Sequence, residues 1–310
     1  MSRISHAPDE PVTGGARPTL ADVLHRVRLL DLRSRHVITE TLTGEYSSAF
    51  RGRGVDFADV REYTPGDDVR SIDWRVTARA DAVFVRRYVE ERELTVLFLI
   101  DLSASEGFGS RVRTKSELAA ELSAVLAMTA VRNNDRVGAV LFTDRVEHFL
   151  PPRKGRRHAL RFLRELLSCQ PCGRRTDMRP ALAFANRVLR RRSVVFIISD
   201  WMATGHKREL AATARLHDTI AAQLVDPRER ELPDVGLMTL RDPEIGSWRV
   251  IDTSDHAVRE QLQRRATEFD VALERSLRQQ GVDFLRLATD EQYITPLRSL
   301  FRRREHAGRR

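Results

Sequence analysis

Oxygen-bearing side chains follow two strongly apolar stretches of this sequence. Asp101, Ser103 and Ser105 come directly after the first stretch, and Asp200 closes the second. Ligands of an open α/β sheet bind beyond the carboxyl ends of its strands. If both stretches are strands of one such sheet, we expect the two carboxylates at the same edge.

The spacing of Asp101, Ser103 and Ser105 places three oxygen donors on one turning loop. A hard cation such as Mg²⁺ prefers oxygen ligands and keeps several waters. Two hydroxyls with one or two carboxylates would hold such a cation and leave it electrophilic towards a carboxylate from outside the site. Thr176 offers a further hydroxyl. For the loop alone, strand-end capping is the alternative, because Asp and Ser favour turns and helix N-caps.

Alternation of apolar runs and amphipathic stretches after residue 93 predicts an α/β fold with an open, doubly wound, mainly parallel sheet. Two hairpins are also predicted. The predicted strands are 94–100, 137–142, 146–150, 194–198, 219–225, 235–240, 248–251 and 282–287. The predicted helices are 117–131, 159–167, 180–189, 207–216, 257–280 and 293–303.

The residues before this fold have a different character. We expect a disordered arm at 1–18, which mixes Pro, Gly, Ser and Thr without period. Helical spacing of apolar residues predicts one amphipathic helix over 20–42. A smaller module rich in turns and short strands, such as 82–89, completes the segment 19–92, ahead of the main domain at 93–304 and a basic tail at 305–310.

The composition bounds the function classes. The chain has 310 residues, of which 41% are hydrophobic and 31% charged, as in soluble globular proteins. No stretch approaches the roughly 18 apolar residues that span a bilayer, and we expect a cytoplasmic protein. The Gly-x-x-x-x-Gly-Lys-Ser/Thr loop of P-loop nucleotide hydrolases is absent from the sequence.

A net charge of +9 raises the possibility of nucleic-acid binding. The basic residues are almost all arginines spread along the chain, and the cluster at 302–304 is expected to be a solvated tail. Cys169 and Cys172 have the spacing of a redox pair or half a zinc site. They follow a predicted helix, however, whereas a thioredoxin-like pair opens one.

Asp101, Ser103, Ser105, Thr176 and Asp200 together resemble the metal-ion-dependent adhesion site of von Willebrand factor A domains. An upstream string is similar to the signature of a bacterial family known as domain of unknown function 58, which is related to these domains. The resemblance covers about 20–225. The string comprises Gly52, Gly54, Asp56, Phe57, Arg61, Glu62, Tyr63, Pro65, Gly66, Asp67, Asp68, Arg70, Ile72, Asp73, Trp74, Ala78 and Arg79.

The resemblance implies a non-enzymatic protein-binding module with Mg²⁺ or Mn²⁺ as cofactor and a MoxR-type AAA+ ATPase as partner. It implies direct ligation by Ser103 and Ser105, with Thr176 as the third hydroxyl ligand, either direct or through water. Asp101 and Asp200 would act largely through water or by orienting the hydroxyls. Two departures stand out. Glu106 replaces a frequently apolar residue and could occupy the open coordination position, and Arg174-Arg175 precede Thr176 where small residues are usual.

Two alternatives to a binding module stay open. A Mg²⁺-dependent phosphohydrolase would use Asp101 as nucleophile, although such enzymes usually carry a second aspartate where this chain has Ser103, and Lys115 is the nearest lysine. A nucleic-acid binder is the other. The upstream string has a structural interpretation, with a turn at Pro65-Gly66 and a buried Trp74, beside an interpretation as a docking surface. The structural one also expects ion pairs among Asp67, Asp68, Arg70 and Asp73.

Overall fold

The structure, a computed structural model, describes residues 20–51, 60–65, 67, 72, 74–78, 82–86, 93–110 and 112–308. The predicted arm at 1–18 lies outside these residues. Much of the upstream string also lies outside them, namely Gly52, Gly54, Asp56, Phe57, Gly66, Asp68, Arg70, Asp73 and Arg79.

Helices and strands alternate through the main domain, as the sequence predicts. In chain order the helices are α1 (Leu20–Val37), α2 (Glu40–Arg51), α3 (Trp74–Thr77), α4 (Lys115–Arg132), α5 (Arg156–Ser168), α6 (Met178–Val188), α7 (Lys207–Leu216), α8 (His256–Gln279) and α9 (Ile294–Gly308). The strands are β1 (Val60–Glu62), β2 (Phe84–Arg86), β3 (Thr95–Asp101), β4 (Arg136–Phe142), β5 (Val146–Arg153), β6 (Val194–Ser199), β7 (Asp218–Val225), β8 (Leu237–Arg241), β9 (Trp248–Asp252) and β10 (Asp283–Ala288).

Six strands form one sheet in the order β10-β7-β6-β3-β4-β5. Every neighbouring pair is parallel except β4 and β5, which form the predicted antiparallel hairpin. Strand β3 lies at the centre, and its side chains alternate between two cores. Val96, Phe98 and Ile100 pack with residues of α4 and α5, whereas Leu97 and Leu99 pack with residues of α6 and α7. The predicted α/β fold with an open, doubly wound, mainly parallel sheet is therefore confirmed.

The chain reverses its direction of travel across the sheet between β3 and β6. From β3 it crosses through α4 to β4 on one side, and from β6 it crosses through α7 to β7 on the other. The two helices lie on opposite faces, since Leu118 of α4 belongs to one core and Leu210 of α7 to the other. This is the topological switch point at which open α/β sheets bind ligands.

The expectation of a strand-rich N-terminal module is wrong, because most of the residues that the structure describes between 20 and 86 are helical. Two helices, α1 and α2, replace the single predicted helix, and the break falls at Thr39, whose hydroxyl accepts from Leu42 N–H at 3.2 Å and caps α2. Strands β1 and β2 pair over only three residues each. Of the predicted strand at 82–89, residues 87–89 lie outside the described part.

The upstream string is only partly as its structural interpretation expects. The turn at Pro65 is present, with Asp67 N–H donating to Thr64 O and the Asp67 carboxylate accepting from Thr64 N–H, both at 3.0 Å. The expected burial of Trp74 is wrong, since 66% of the surface of that residue is exposed. Trp74 opens the single-turn helix α3, which does not carry its ring into either core.

Helix α2 joins the main core through aromatic packing. Tyr46 and Phe50 lie with their ring centroids 4.8 Å apart, and both contact Phe301 of α9 edge-on. Phe50 also meets Phe196 of β6. Such edge-to-face pairs add to the gain from burial itself. The N-terminal helices are therefore part of the same hydrophobic core as the sheet.

A buried hydrogen bond connects α2 to the beginning of the central strands. Tyr46 Oη donates to Asp135 Oδ2 at 3.1 Å, and Leu94 N–H donates to Asp135 Oδ1 at the same distance. Burial raises the pKa of Asp135 to about 6, although both hydrogen bonds act to lower it. Folding with the Asp135 carboxyl group in its charged form therefore costs free energy.

Helix α9 continues through the arginine cluster that the sequence assigns to a solvated tail. Arg298 and Arg302 pair with Glu45 of α2, and Arg304 pairs with Asp218 and Asp283. These ion pairs attach the C-terminal helix to α2 and to the starts of β7 and β10. The expectation of a solvated cluster is wrong for Arg304, whereas Arg302 remains exposed to solvent.

Strands β8 and β9 form the second predicted hairpin apart from the main sheet. Cys169 and Cys172 are free thiols after α5. Among the described residues, no helix has the length and hydropathy to cross a membrane.

Replacing Asp135 with asparagine is expected to flatten the dependence of stability on pH. The folded pKa of about 6 exceeds the value of about 3.9 in unfolded chains, so the native state binds more protons between pH 4 and 6. Wild-type stability therefore falls as pH rises through that interval, by up to about 3 kcal/mol from this group. Asparagine has no proton to lose, and denaturant unfolding at several pH values measures the difference.

Tyr46→Phe is the matched control for Asp135→Asn. It keeps the carboxyl group and removes a hydrogen bond that lowers its pKa, so its stability should fall at least as steeply with pH as that of the wild type. Equal slopes for Asp135→Asn and the wild type would show that the Asp135 carboxyl does not carry this pH dependence.

Candidate metal centre

The two predicted aspartates lie at the switch point between β3 and β6. Asp101 is the last residue of β3, and Asp200 follows the last residue of β6. The strands are parallel and in register, with Ile100 opposite Ile198. Both carboxylates therefore emerge at the same edge of the sheet, as the sequence predicts.

Asp101 is held from both sides and is almost fully buried, with 1% of its surface exposed. Its Oδ1 accepts from Ser103 N–H at 2.8 Å, and its Oδ2 accepts from the Ser199 hydroxyl at 2.7 Å. Burial, together with the nearby charge of Asp200, raises the pKa of Asp101 to about 6, while these hydrogen bonds act against the rise. The bond to Ser103 N–H is a turn-type contact of the kind that strand-end capping predicts.

Capping does not account for the serine hydroxyls. Ser103 precedes a short 3₁₀ helix, Ala104–Gly107, but its side chain makes no cap hydrogen bond. Instead the hydroxyls of Ser103 and Ser105 lie 3.1 Å apart and share one hydrogen bond. Each retains acceptor capacity, so the pair presents two oxygen donors side by side.

Glu106 brings a third carboxylate into the site. Its Oε1 accepts from Asp200 N–H at 2.9 Å, while its Oε2 is buried without a hydrogen-bond partner among the described residues. Burial, followed by the charges of Asp101 and Asp200, raises the pKa of Glu106 well above its ordinary value. The sequence marks Glu106 as a departure from the family pattern, and the structure makes it an inward-facing member of the site.

The three carboxylates form one compact group. Asp101, Glu106 and Asp200 each offer an oxygen, and these oxygens all lie within 4.8 Å of one another. All three residues are buried. Carboxylates packed so closely away from water repel one another unless protons or cations neutralise them.

Asp200 has a partner for each oxygen. Its Oδ1 accepts from Met202 N–H at 3.0 Å, and its Oδ2 accepts from Lys115 Nζ at 3.1 Å. Trp201, which lies between Asp200 and Met202 in the chain, adopts a left-handed φ of 64°, which a non-glycine residue rarely does. The Trp201 indole, which donates to Ala222 O at 3.2 Å, holds this turn in place.

Two further residues belong to the site: Lys115, which the sequence offers only as the lysine of the phosphohydrolase alternative, and Glu229, which no sequence pattern indicates. Lys115 Nζ contacts Glu229 Oε1 at 2.7 Å as well as Asp200. The available signal was Thr114-x-x-Glu117, a capping-box pattern that is realised in the structure. It fixes the start of α4 and hence places Lys115 at the edge where the strands end.

The loop that contains Thr176 adjoins the site, but the Thr176 hydroxyl is engaged elsewhere. Ala104 N–H donates to Arg174 O at 3.0 Å, which ties this loop to the serine loop. Thr176 Oγ1 donates to Glu244 Oε1 at 2.7 Å. A Cβ at Gly173 would lie 2.2 Å from Thr143 Oγ1, so only glycine fits that approach. Arg174 and Arg175 have exposed side chains.

The residues present fit a divalent metal ion with oxygen ligands. Three carboxylates and a pair of hydroxyls are the donors that Mg²⁺ and Mn²⁺ accept. The unpartnered Glu106 Oε2 is a buried acceptor that such an ion would satisfy. Three carboxylates and one ammonium leave a charge of −2 when all are ionised, which one divalent ion balances.

Comparisons with known proteins agree with the resemblance seen in the sequence. The model of the family described as protein of unknown function DUF58 matches residues 59–271. Uncharacterized proteins Rv1480 of Mycobacterium tuberculosis and Mb1516 of Mycobacterium bovis are each 34% identical over 283 residues, covering 90% of this chain and 88% of the relative.

Two solved structures show low similarity. One is BatB from Bacteroides thetaiotaomicron, at 15% identity and a TM-score of 0.45, covering 69% of this chain and 99% of that one. The other is the SpRpn10 VWA domain, at 11% identity and a TM-score of 0.35, covering 66% of this chain and 93% of that one. The extent of the family match and of the mycobacterial relatives shows that this chain belongs to the DUF58 family.

Proposed function

We propose that this protein is a non-enzymatic interaction module that holds Mg²⁺ or Mn²⁺ and binds an acidic side chain of a partner protein through the ion. The carboxylates of Asp101, Glu106 and Asp200 and the hydroxyls of Ser103 and Ser105 would hold it. When bound, the ion supplies a Lewis-acidic centre for an outside carboxylate. The buried carboxylate group carries the proposal, because a divalent ion converts its mutual repulsion into attraction.

Thr176 has a different role in this proposal from the one that the family resemblance implies. Its hydroxyl donates to Glu244, on the connection between β8 and β9. Glu106 supplies the additional donor in its place. The site is therefore more acidic than two aspartates and three hydroxyls would make it.

The partner that we propose is a MoxR-type AAA+ ATPase, with the chain acting as its adaptor in the cytoplasm. The support is the family resemblance of the upstream string and of the serine loop. An adaptor needs a recognition site but no reacting group of its own. The acidic edge of the sheet, with the switch-point loops around it, meets that requirement.

The geometry at Asp101 favours binding over phosphoryl transfer. A nucleophilic carboxylate must direct a free lone pair at phosphorus from an accessible position. Asp101 is buried, and both of its oxygens accept hydrogen bonds, from Ser103 N–H and from the Ser199 hydroxyl. These contacts suit a carboxylate that orients its neighbours.

The ion pairs on α9 weigh against nucleic-acid binding as the main function. Free arginines facing solvent are what a phosphate track needs. Arg298, Arg302 and Arg304 instead pair with Glu45, Asp218 and Asp283 within the chain. Two of the three arginines in the cluster at 302–304 are therefore already paired within the chain.

Glu106→Gln is expected to abolish most of the stabilisation by Mg²⁺ while changing stability in chelator by less than about 1 kcal/mol. Burial and the charges of Asp101 and Asp200 raise the pKa of Glu106 and so favour its neutral form without an ion, for which an amide of the same shape is a close substitute. A metal ion requires the carboxylate. Thermal unfolding with chelator and with saturating Mg²⁺ gives both quantities, because an ion that binds only the native state raises stability by mass action.

Glu260→Gln, at an exposed position of α8, is the control and should respond to Mg²⁺ like the wild type. A Glu106→Gln variant that keeps the full Mg²⁺ response would remove Glu106 from the proposed ligand set.

Ser103→Ala combined with Ser105→Ala is expected to abolish Mg²⁺-dependent capture of the AAA+ partner while the protein stays folded. The double variant removes both hydroxyl ligands and only one shared hydrogen bond, a loss of about 1 kcal/mol. Affinity capture with the tagged full chain, followed by mass spectrometry, measures the partner in Mg²⁺ and in chelator.

Ser168→Ala with Ser254→Ala removes two hydroxyls outside the site and serves as the matched control. A metal-bridged interaction would be refuted if the partner were captured as strongly in chelator as in Mg²⁺. It would also be refuted if the double variant at 103 and 105 captured the partner as well as the wild type.

A further inference from the structure

A fully buried lysine lies against the carboxylate group. Lys115 is the first residue of α4 and has 0% of its surface exposed. Its ammonium bridges Asp200 Oδ2 at 3.1 Å and Glu229 Oε1 at 2.7 Å. A helix begins at the positive end of its dipole, which disfavours a cation there. The carboxylates therefore hold this charge in place, and the helix does not.

We propose that Lys115 is a built-in counterion that competes with the divalent cation for Asp200 and so sets the metal affinity of the site. The inference rests on the proposed function, since it concerns the regulation of that same site. It assigns to Lys115 and Glu229 opposite effects on metal binding.

The competition follows from the shared carboxylate. A cation among the oxygens of Asp101, Glu106 and Asp200 shares the Asp200 carboxylate with the ammonium, which contacts Oδ2 while Met202 N–H donates to Oδ1. Like charges a few ångströms apart repel strongly where solvent does not screen them. The ammonium thus lowers affinity for a second cation even though it stabilises the site without one.

Lys115 remains charged and available to compete at neutral pH. Its ammonium lies 3.1 Å from Asp200 Oδ2 and 2.7 Å from Glu229 Oε1, and opposite charges this close favour the charged form of the lysine. Removing the charge therefore requires substituting the residue.

Glu229 gives the ammonium an alternative partner. Its side chain is 39% exposed and lies at the end of the 3₁₀ helix Pro227–Glu229. Its Oε2 accepts from Asp226 N–H in a capping box, and the buried Asp226 carboxylate accepts from the hydroxyls of Ser110 and Thr289. Glu229 is thus a fixed acceptor that can retain the ammonium when Asp200 turns to a metal ion.

Calorimetric titration of the full chain with Mg²⁺, and separately with Mn²⁺, tests the inference. Lys115→Met should bind at least about tenfold more tightly than the wild type, since a nearby positive charge is removed. Glu229→Gln should bind several-fold more weakly, because Asp200 is then the remaining carboxylate for the ammonium.

Two variants control for net charge. Lys154→Met makes the same charge change far from the site, at the edge of the sheet where the parallel strands begin. Its neighbour Arg153 pairs with Val137, which lies near the start of β4. Glu231→Gln removes an exposed carboxylate two residues from Glu229. Both should bind the metal like the wild type.

If the wild type binds the metal ion and Lys115→Met binds it no more tightly, the inference is overturned and the proposed function still stands. If Lys115→Met does not fold, Glu229→Gln decides, and unchanged or tighter binding there overturns the inference. Failure of the wild type and Lys115→Met alike to bind either ion overturns both proposals. If Lys115→Met binds the metal ion more tightly than the wild type, the inference is supported. If capture of the partner is then equally strong with and without chelator, the proposed function is refuted.

Discussion

The burial of three carboxylates at one point of the sheet edge is the constraint on which the arrangement of this site depends. Each ionised carboxylate taken out of water is costly unless it is paired or hydrogen-bonded. The partners come from separate elements: a backbone N–H of the serine loop, the hydroxyl that ends β6, and the ammonium that opens α4. The site therefore exists only when the sheet and its crossover helices are assembled.

The N-terminal helices contribute to the site by fixing α4. Helix α1 packs along α4 with Arg26 near Glu117 and Arg33 paired with Glu121. Helix α2 joins the same core and reaches the central strands through Tyr46. Since Lys115 is the first residue of α4, support for this helix also determines where the ammonium lies. The two N-terminal helices are thus physically connected to the chemistry at the sheet edge.

The sequence predicts the sheet well and the ligand set only in part. Continuous apolar runs such as the one in β3 identify central strands, and strand ends follow from them, so Asp101 and Asp200 are correctly brought together. Side-chain partners across the chain carry no such signal. The partner of Thr176 is Glu244, on a distant hairpin connection, and the inward orientation of Glu106 depends on how one 3₁₀ turn packs. The break at Thr39 is local capping within an otherwise helical pattern.

Anomalous diffraction from crystals of the protein grown with Mn²⁺ would locate the ion independently of any partner. We expect an anomalous peak within bonding distance of Asp101, Glu106 and Asp200 and beside the hydroxyls of Ser103 and Ser105. A fully occupied Mn²⁺ elsewhere, or no peak at this group at saturating Mn²⁺, would contradict it.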